Sequence, residues 1–304
     1  MTILDKKKNK ETLFFILLIL AMFLWGASWV SGRYIAQVAA YESVVFYRFL
    51  LTSIFFIPLI LLLKPKMKLK FKNITQVILG TILILLHANF FFKGLNFGLA
   101  GAGSIIFTVM APLITFLLVS VLYRHKLKKN EIIGLLFGII GGVVLLELWK
   151  FDINEIVQSG NIYFLLAACS WASITVVAGK SYQNLSPIGF SFYISLGGLI
   201  ILLFLTPKEV IFGDFLYNEY FWYHIVFLSA FANVFASTIY FYASGVIGSS
   251  KASSYIYLVP VFAVILGVVL LDESVASNSI VGGIITIAAL YLINKKSVTQ
   301  EKTS

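Results

Sequence analysis

Charged positions along this chain fall in clusters, and the stretches between them are almost wholly apolar. Uncharged runs cover Thr12–Gly32, Phe49–Leu63, Asn73–Phe92, Gly94–Tyr123, Ile132–Leu146, Ile156–Gly179, Ser181–Pro207, Tyr220–Ser250, Ala252–Leu271 and Ser274–Asn294. A helix rises about 1.5 Å per residue, so roughly 20 residues cross the hydrocarbon of a bilayer. Nine runs reach that length or nearly so. The fifth helix, expected over 131–147, is shorter and suits a thin or tilted position. The second helix is expected to start near Ser43 and to carry Arg48 within it. The pattern predicts an all-α polytopic membrane protein with ten transmembrane helices. Composition agrees: 60% of the 304 residues are hydrophobic and 12% charged, more oil than a soluble fold of this size can bury.

Charge orients the spans. With the N-terminus placed inside, the inner set comprises the N-terminal tail, the loops near 64–73, 123–130, 180–186 and 245–251, and the C-terminal tail. Most of the 23 Lys and Arg fall in this set, and most of the 13 acids fall outside it. Such asymmetry predicts that both termini face the cytoplasm. The series Lys64, Lys66, Lys68, Lys70, Lys72 is the strongest anchor and would touch anionic lipid. The net charge of +10 is therefore a topology signal. Basic residues in short loops without interleaved aromatics do not suggest nucleic acid as a partner.

The halves resemble one another. Trp25-Gly26 near the end of the first helix is echoed by Trp171-Ala172 in the sixth, with Arg33 and Lys180 following. MAPLITFLLVSVL at Met110–Leu122 aligns with LVPVFAVILGVVL at Leu258–Leu270. At that constant offset Pro112 meets Pro260, Asn130 meets Asn278 and Gly134 meets Gly282. Five helices per half is an odd number, so the second half must be inverted. The expected organisation is a tail over 1–11, a first repeat over 12–147, an external linker over 148–159, an inverted repeat over 160–294 and a tail over 295–304. Inverted repeats are the architecture of secondary transporters, with the solute site at the midplane between them.

Candidate site residues follow from cost. An ionisable group inside a span is expensive and is a functional suspect. His87, with Asn89 beside it, could bind a carboxylate or take a proton; otherwise it is a packed histidine held by an amide. Arg33, Arg48 and Lys93 lie toward the outer half and would make an anion-attracting vestibule, or would snorkel to the interface. Trp25, Trp29, Trp171, Tyr240, Tyr255 and Tyr257 flank small residues, a pattern suited to a pocket for an amphipathic or aromatic solute; ordinary packing is the alternative for any one ring. Pro112 and Pro260 would kink their helices. The runs GLAGAGS at Gly98–Ser104 and GIIGG at Gly138–Gly142 indicate close helix packing.

Other chemistry finds little support. No P-loop, zinc-protease motif or paired acids at metal-ligand spacing occurs, so no catalytic residues, metal or cofactor are expected. No Asp or Glu sits deep in a span, which argues against a strong proton relay. Cys169 lies within the sixth helix and reads as a packing residue. The expected partners are a small-molecule substrate and membrane lipid, with the protein itself a monomer or weak homo-oligomer.

The order of these motifs resembles the drug/metabolite transporter superfamily, and most closely its EamA-like ten-helix exporters. The carrying residues are LWGASWVSGRY at Leu24–Tyr34, FYRFLL at Phe46–Leu51, the Gly94–Leu118 region with Ser104 and Pro112, and its counterpart from Ala243 through Pro260 to LDE at Leu271–Glu273. The family's first-helix Trp-Gly is matched by Trp25-Gly26, its following basic residue by Arg33 and its second-helix Arg by Arg48. Its Gly-Glu after the fourth helix is replaced here by Arg124-His125, whereas the second repeat keeps Asp272-Glu273. The resemblance implies export of amino acids or related metabolites across a bacterial-type inner (cytoplasmic) membrane, and the inverted repeat suggests alternating access as the means. Relatives move drugs, nucleosides and cofactors on the same fold, so multidrug or other metabolite transport is the alternative. A non-transporting membrane sensor is a more distant one.

Overall fold

The computed structural model describes residues 3–98, 100–124, 126–150, 152, 154, 160–271 and 277–295. His125, Asp272-Glu273, most of the 148–159 linker and the C-terminal tail beyond residue 295 lie outside the described residues, as do the side chains of the N-terminal tail. Within them the chain is helical and has no strand. Ten long elements follow in order: α1 (Ile3–Val38), α2 (Tyr41–Leu63), α3 (Phe71–Phe97), α4 (Ala100–Tyr123), α5 (Lys129–Leu145), α6 (Ile162–Ser181), α7 (Pro187–Leu205), α8 (Glu219–Val246), α9 (Ser249–Leu271) and α10 (Ser277–Asn294).

Nine of these are long and apolar enough to cross a membrane. The exception is α5, with 17 residues. Its traverse follows from parity. Ser186, before α7, donates its hydroxyl to the Lys66 carbonyl, before α3, and Tyr193 donates to the Met67 carbonyl. The α2–α3 and α6–α7 turns therefore share one face of the molecule. The crossings between them are even in number only if α5 also runs from face to face. The opposite face gathers Ser43 with the Val210 carbonyl, Asn96 with the Ala36 carbonyl, and Asn278 with Glu147.

Boundaries have local causes. α7 starts where the Ser186 hydroxyl accepts the Gly189 N–H, with Pro187 in the first turn, where its missing N–H costs nothing. α8 starts where the Asn218 side chain accepts from the Tyr220 and Phe221 N–H groups. α1 continues past Gly32 to Val38, so Arg33 lies inside the helix, and α2 begins at Tyr41. Large apolar side chains such as Leu61, Leu62, Phe204, Leu205 and Val269 stay exposed. That surface suits hydrocarbon and not water.

The halves interleave. α1 packs on α8 and α9, while α6 packs on α3 and α4; α3 packs on α7, while α8 packs on α2; α2 pairs with α7 and α5 with α10. Exchanging each helix with the one five places later maps these pairings onto themselves, as two inverted repeats about a pseudo-twofold axis require. Glycines allow the closest approaches. A Cβ on Gly26 would stand 2.9 Å from Phe262 Cβ and 3.0 Å from the Ala263 nitrogen, so α1 rests almost backbone-to-backbone on α9. Gly141 of the GIIGG run meets the Thr286 nitrogen at a corresponding 2.9 Å, which lets α5 lie along α10.

Two helices depart from α geometry near the centre. In α8 the segment Leu228–Ser237 winds as a π-helix of 10 residues, a form concentrated at functional sites. In α9 a 3₁₀ turn at Tyr255–Tyr257 precedes Pro260, whose missing N–H would leave an α-type carbonyl unmatched. α4 continues through Pro112.

Candidate functional site

Two small cavities meet where the halves face each other. The first, of about 50 Å³, is bordered by Trp25, Ser28 and Trp29 of α1, Arg48 of α2, His87 and Phe91 of α3, Phe107 of α4, Trp171 of α6, Leu228 and Ser237 of α8, and Val259 of α9. The second, of about 20 Å³, shares Arg48, His87 and Ser237 and adds Thr52, Ser191, Ser195 and Asn233 among its walls. Known small-molecule sites run to roughly 300 Å³ or more, so solute entry requires the surrounding helices to part.

The aromatic wall is built from both repeats. Trp25 and Trp171 lie edge to face, and Tyr240 stands behind them with ring centroids 5.0 and 5.5 Å away. The Tyr240 hydroxyl is 3.1 Å from Thr175 Oγ1. Trp29 packs on Phe91 at 4.8 Å and on Phe164 at 5.8 Å. Trp25 Nε1 donates to the Ala232 carbonyl at 3.0 Å, and the Ser237 hydroxyl donates to the same carbonyl. The π-helix is thereby tied to α1.

The polar centre is formed by α2, α3 and α8. His87 is buried, its ring centroid 4.7 Å from that of Trp171, with Nδ1 3.2 Å from the Ala167 carbonyl. A carbonyl only accepts, so Nδ1 carries the proton and Nε2 of the neutral ring is left as an acceptor. Arg48 donates to Asn233 Oδ1 at 2.5 Å, and Asn233 in turn donates to Thr52 Oγ1 at 3.2 Å. The guanidinium lies 5.2 Å above the Phe92 ring, and its Nε is buried without a hydrogen-bond partner among the described residues.

The structure separates several residues that the sequence groups. Arg33 is exposed, and Lys93 lies over the Tyr163 and Tyr41 rings at 4.8 and 5.7 Å. Arg48 borders the central cavities instead, so the three cations form no common vestibule. Asn89 is two positions from His87 and points to another face of α3. It donates to the Leu85 carbonyl and borders an apolar groove with Glu42 and Thr206. Tyr255 packs against Phe15. Tyr257 belongs to a separate cluster with Phe116, Leu135 and Ile293. Neither tyrosine borders the central cavities, and neither does Pro112 or Pro260. Asn233, Ser237, Phe91 and Phe107 are additions. Asn233 had a legible signal, an amide midway along the charge-free run 220–250. The π-helix that presents it had none.

Comparison with known proteins agrees with this architecture. The family model described as the EamA-like transporter family matches residues 12–147 and 158–295. A chloroplastic WAT1-related protein of Arabidopsis thaliana is 28% identical over 91% of this chain and 68% of its own length. An uncharacterized transporter of Archaeoglobus fulgidus is 25% identical over 92% of this chain and 97% of its own. The uncharacterized transporter YvbV of Bacillus subtilis is 23% identical over 97% and 96%. One solved crystal structure superposes with a TM-score of 0.72 at 15% identity, covering 96% of this chain and 99% of that one, a likeness of fold. This chain, with a helical polytopic fold and two matching repeats, belongs to the EamA-like transporter family and is a multi-pass membrane transporter.

Proposed function

We propose that the protein exports amino acids or closely related small metabolites across the cytoplasmic membrane by alternating access, with both termini in the cytoplasm. The observation that carries this reading is the central cavity. It draws walls from both repeats, combines three tryptophans with His87 and Arg48, and is too small to admit solute without movement. Rocking one repeat against the other would open it to each side in turn. The ring-rich wall favours neutral or aromatic amino acids. A multidrug exporter of cations would need a carboxylate at the site, and neither cavity is bordered by one among the described residues.

The test is flux in vesicles containing only this protein. Labelled neutral and aromatic amino acids should move down their gradients. Failure across a broad amino-acid panel, alongside robust movement of nucleosides or organic cations, would overturn the substrate assignment. Binding without flux of any solute would favour a sensor.

A further inference from the structure

We infer that Arg48 receives a single carboxylate of the transported solute, and that the solute is recognised as an apolar or aromatic monocarboxylate whether or not it carries an amine. This rests on the transport reading above and deepens it.

A cation held in a span requires a partner. Among the described residues no carboxylate lies within ion-pair distance of Arg48. What holds it is the neutral amide of Asn233, together with the Phe92 ring. The amide fixes the guanidinium in place and leaves its charge uncancelled. Guanidinium offers five N–H donors in a fork that matches a carboxylate. Within the described protein only the bond to Asn233 uses that fork, and the buried Nε bonds to nothing. The side chain borders both cavities, each also reached by His87 and Ser237. An oriented, unneutralised cation at the edge of an aromatic cavity suits an anion supplied from outside the protein.

The number of charges limits the ligand. Among the described residues no lysine or second arginine borders either cavity, and Nδ1 of His87 is committed to the Ala167 carbonyl. One cation matches one carboxylate better than a doubly charged phosphate ester. Trp25, Trp29 and Trp171 supply surface for an apolar body. Among the described residues the cavity walls carry no acidic side chain to pair with an ammonium, so an amine contributes little to recognition.

Four probes of similar shape separate these features: L-phenylalanine, 3-phenylpropionate, phenethylamine and phenyl phosphate. Their binding to the purified full-length protein in lipid nanodiscs can be read by calorimetry. The two carboxylates should bind with affinities within about threefold of each other. The amine and the phosphate should bind at least about tenfold more weakly, the scale of a charge-assisted hydrogen bond. Arg48→Gln should weaken both carboxylates by about tenfold or more. Asn233→Asp should do the same by giving Arg48 an internal counter-ion, in a protein that keeps its fold. Phenethylamine or phenyl phosphate binding as tightly as 3-phenylpropionate would overturn the inference. So would binding by none of the four, or unchanged carboxylate affinity in Asn233→Asp. If vesicles move L-phenylalanine while both variants bind it as wild type does, the Arg48 assignment alone fails. If vesicles move only another solute class, the transport reading fails with it.

Discussion

Trp25 and Trp171, which occupy corresponding positions in the two repeats, touch edge to face at the centre of the molecule, with ring centroids 5.1 Å apart and ring planes at 82°. Each half thus reaches the other through the same kind of side chain. The contact also ties α1 and α6 to α8, because Trp25 Nε1 bonds to the Ala232 carbonyl. Trp25→Phe keeps a ring and deletes that bond. It should cost about 0.5–1.5 kcal/mol of stability. Trp171→Ala removes a buried ring and should cost about 3–5 kcal/mol. Thermal denaturation in detergent would rank them, and equal melting temperatures would show that the pair is not a structural tie.

His87→Gln tests proton coupling. Glutamine retains hydrogen-bonding capacity but cannot titrate. With Nδ1 donating to Ala167 and no acidic group bordering the cavities among the described residues to pass a proton on, the histidine is better placed to pack its ring against the solute than to relay. Solute affinity should therefore fall by a similar factor at about pH 5.5 and about pH 8, either side of the ordinary histidine range. A flattened pH dependence of flux with intact binding would instead make His87 the proton carrier.

Gly26 has no space for a side chain, since its Cβ position lies 3.0 Å from the Val259 carbonyl oxygen as well as against Phe262. Gly26→Leu should push α1 away from α9 and cost about 1–3 kcal/mol or more. Reduced melting temperature and lost flux are expected together. A variant as stable as wild type would mean that the helices can separate there without penalty.

Orientation can be read with single cysteines in a Cys169→Ala background. Lys68 and Lys126 lie on exposed turns, as does Asp214 on the turn before α8. Cysteines at the first two should react with impermeant reagent only from the cytoplasmic side, and one at Asp214 only from outside. Labelling of the Lys68 position in intact cells would reverse the orientation.

The helices were legible because hydrocarbon enforces long charge-free runs. Their rotational phase was not. A span that is apolar all round gives no stripe to mark its inner face, since lipid and protein core select the same residues. Asn89 and His87 show this: both are polar, both lie in α3, and only one borders the cavity. Tyr255 and Tyr257 show it again in α9. Arg48 is legible as a costly group within a charge-free stretch, but the amide that holds it is not, because Asn233 lies far away in the sequence.

The π-wound stretch of α8 acts on everything that follows it. A helix with a wider turn advances fewer degrees per residue, so its length sets the angle at which the next segment emerges. Tyr240 and Phe241 follow within one turn of Leu228–Ser237, and both pack on Trp171. Rewinding even part of that stretch into α form would turn these rings about the helix axis, as a screw turns with its thread. Arg48 and Trp25 are bonded to the thread itself, through Asn233 and the Ala232 carbonyl, so the cation of the cavity and its aromatic wall are set by one and the same winding.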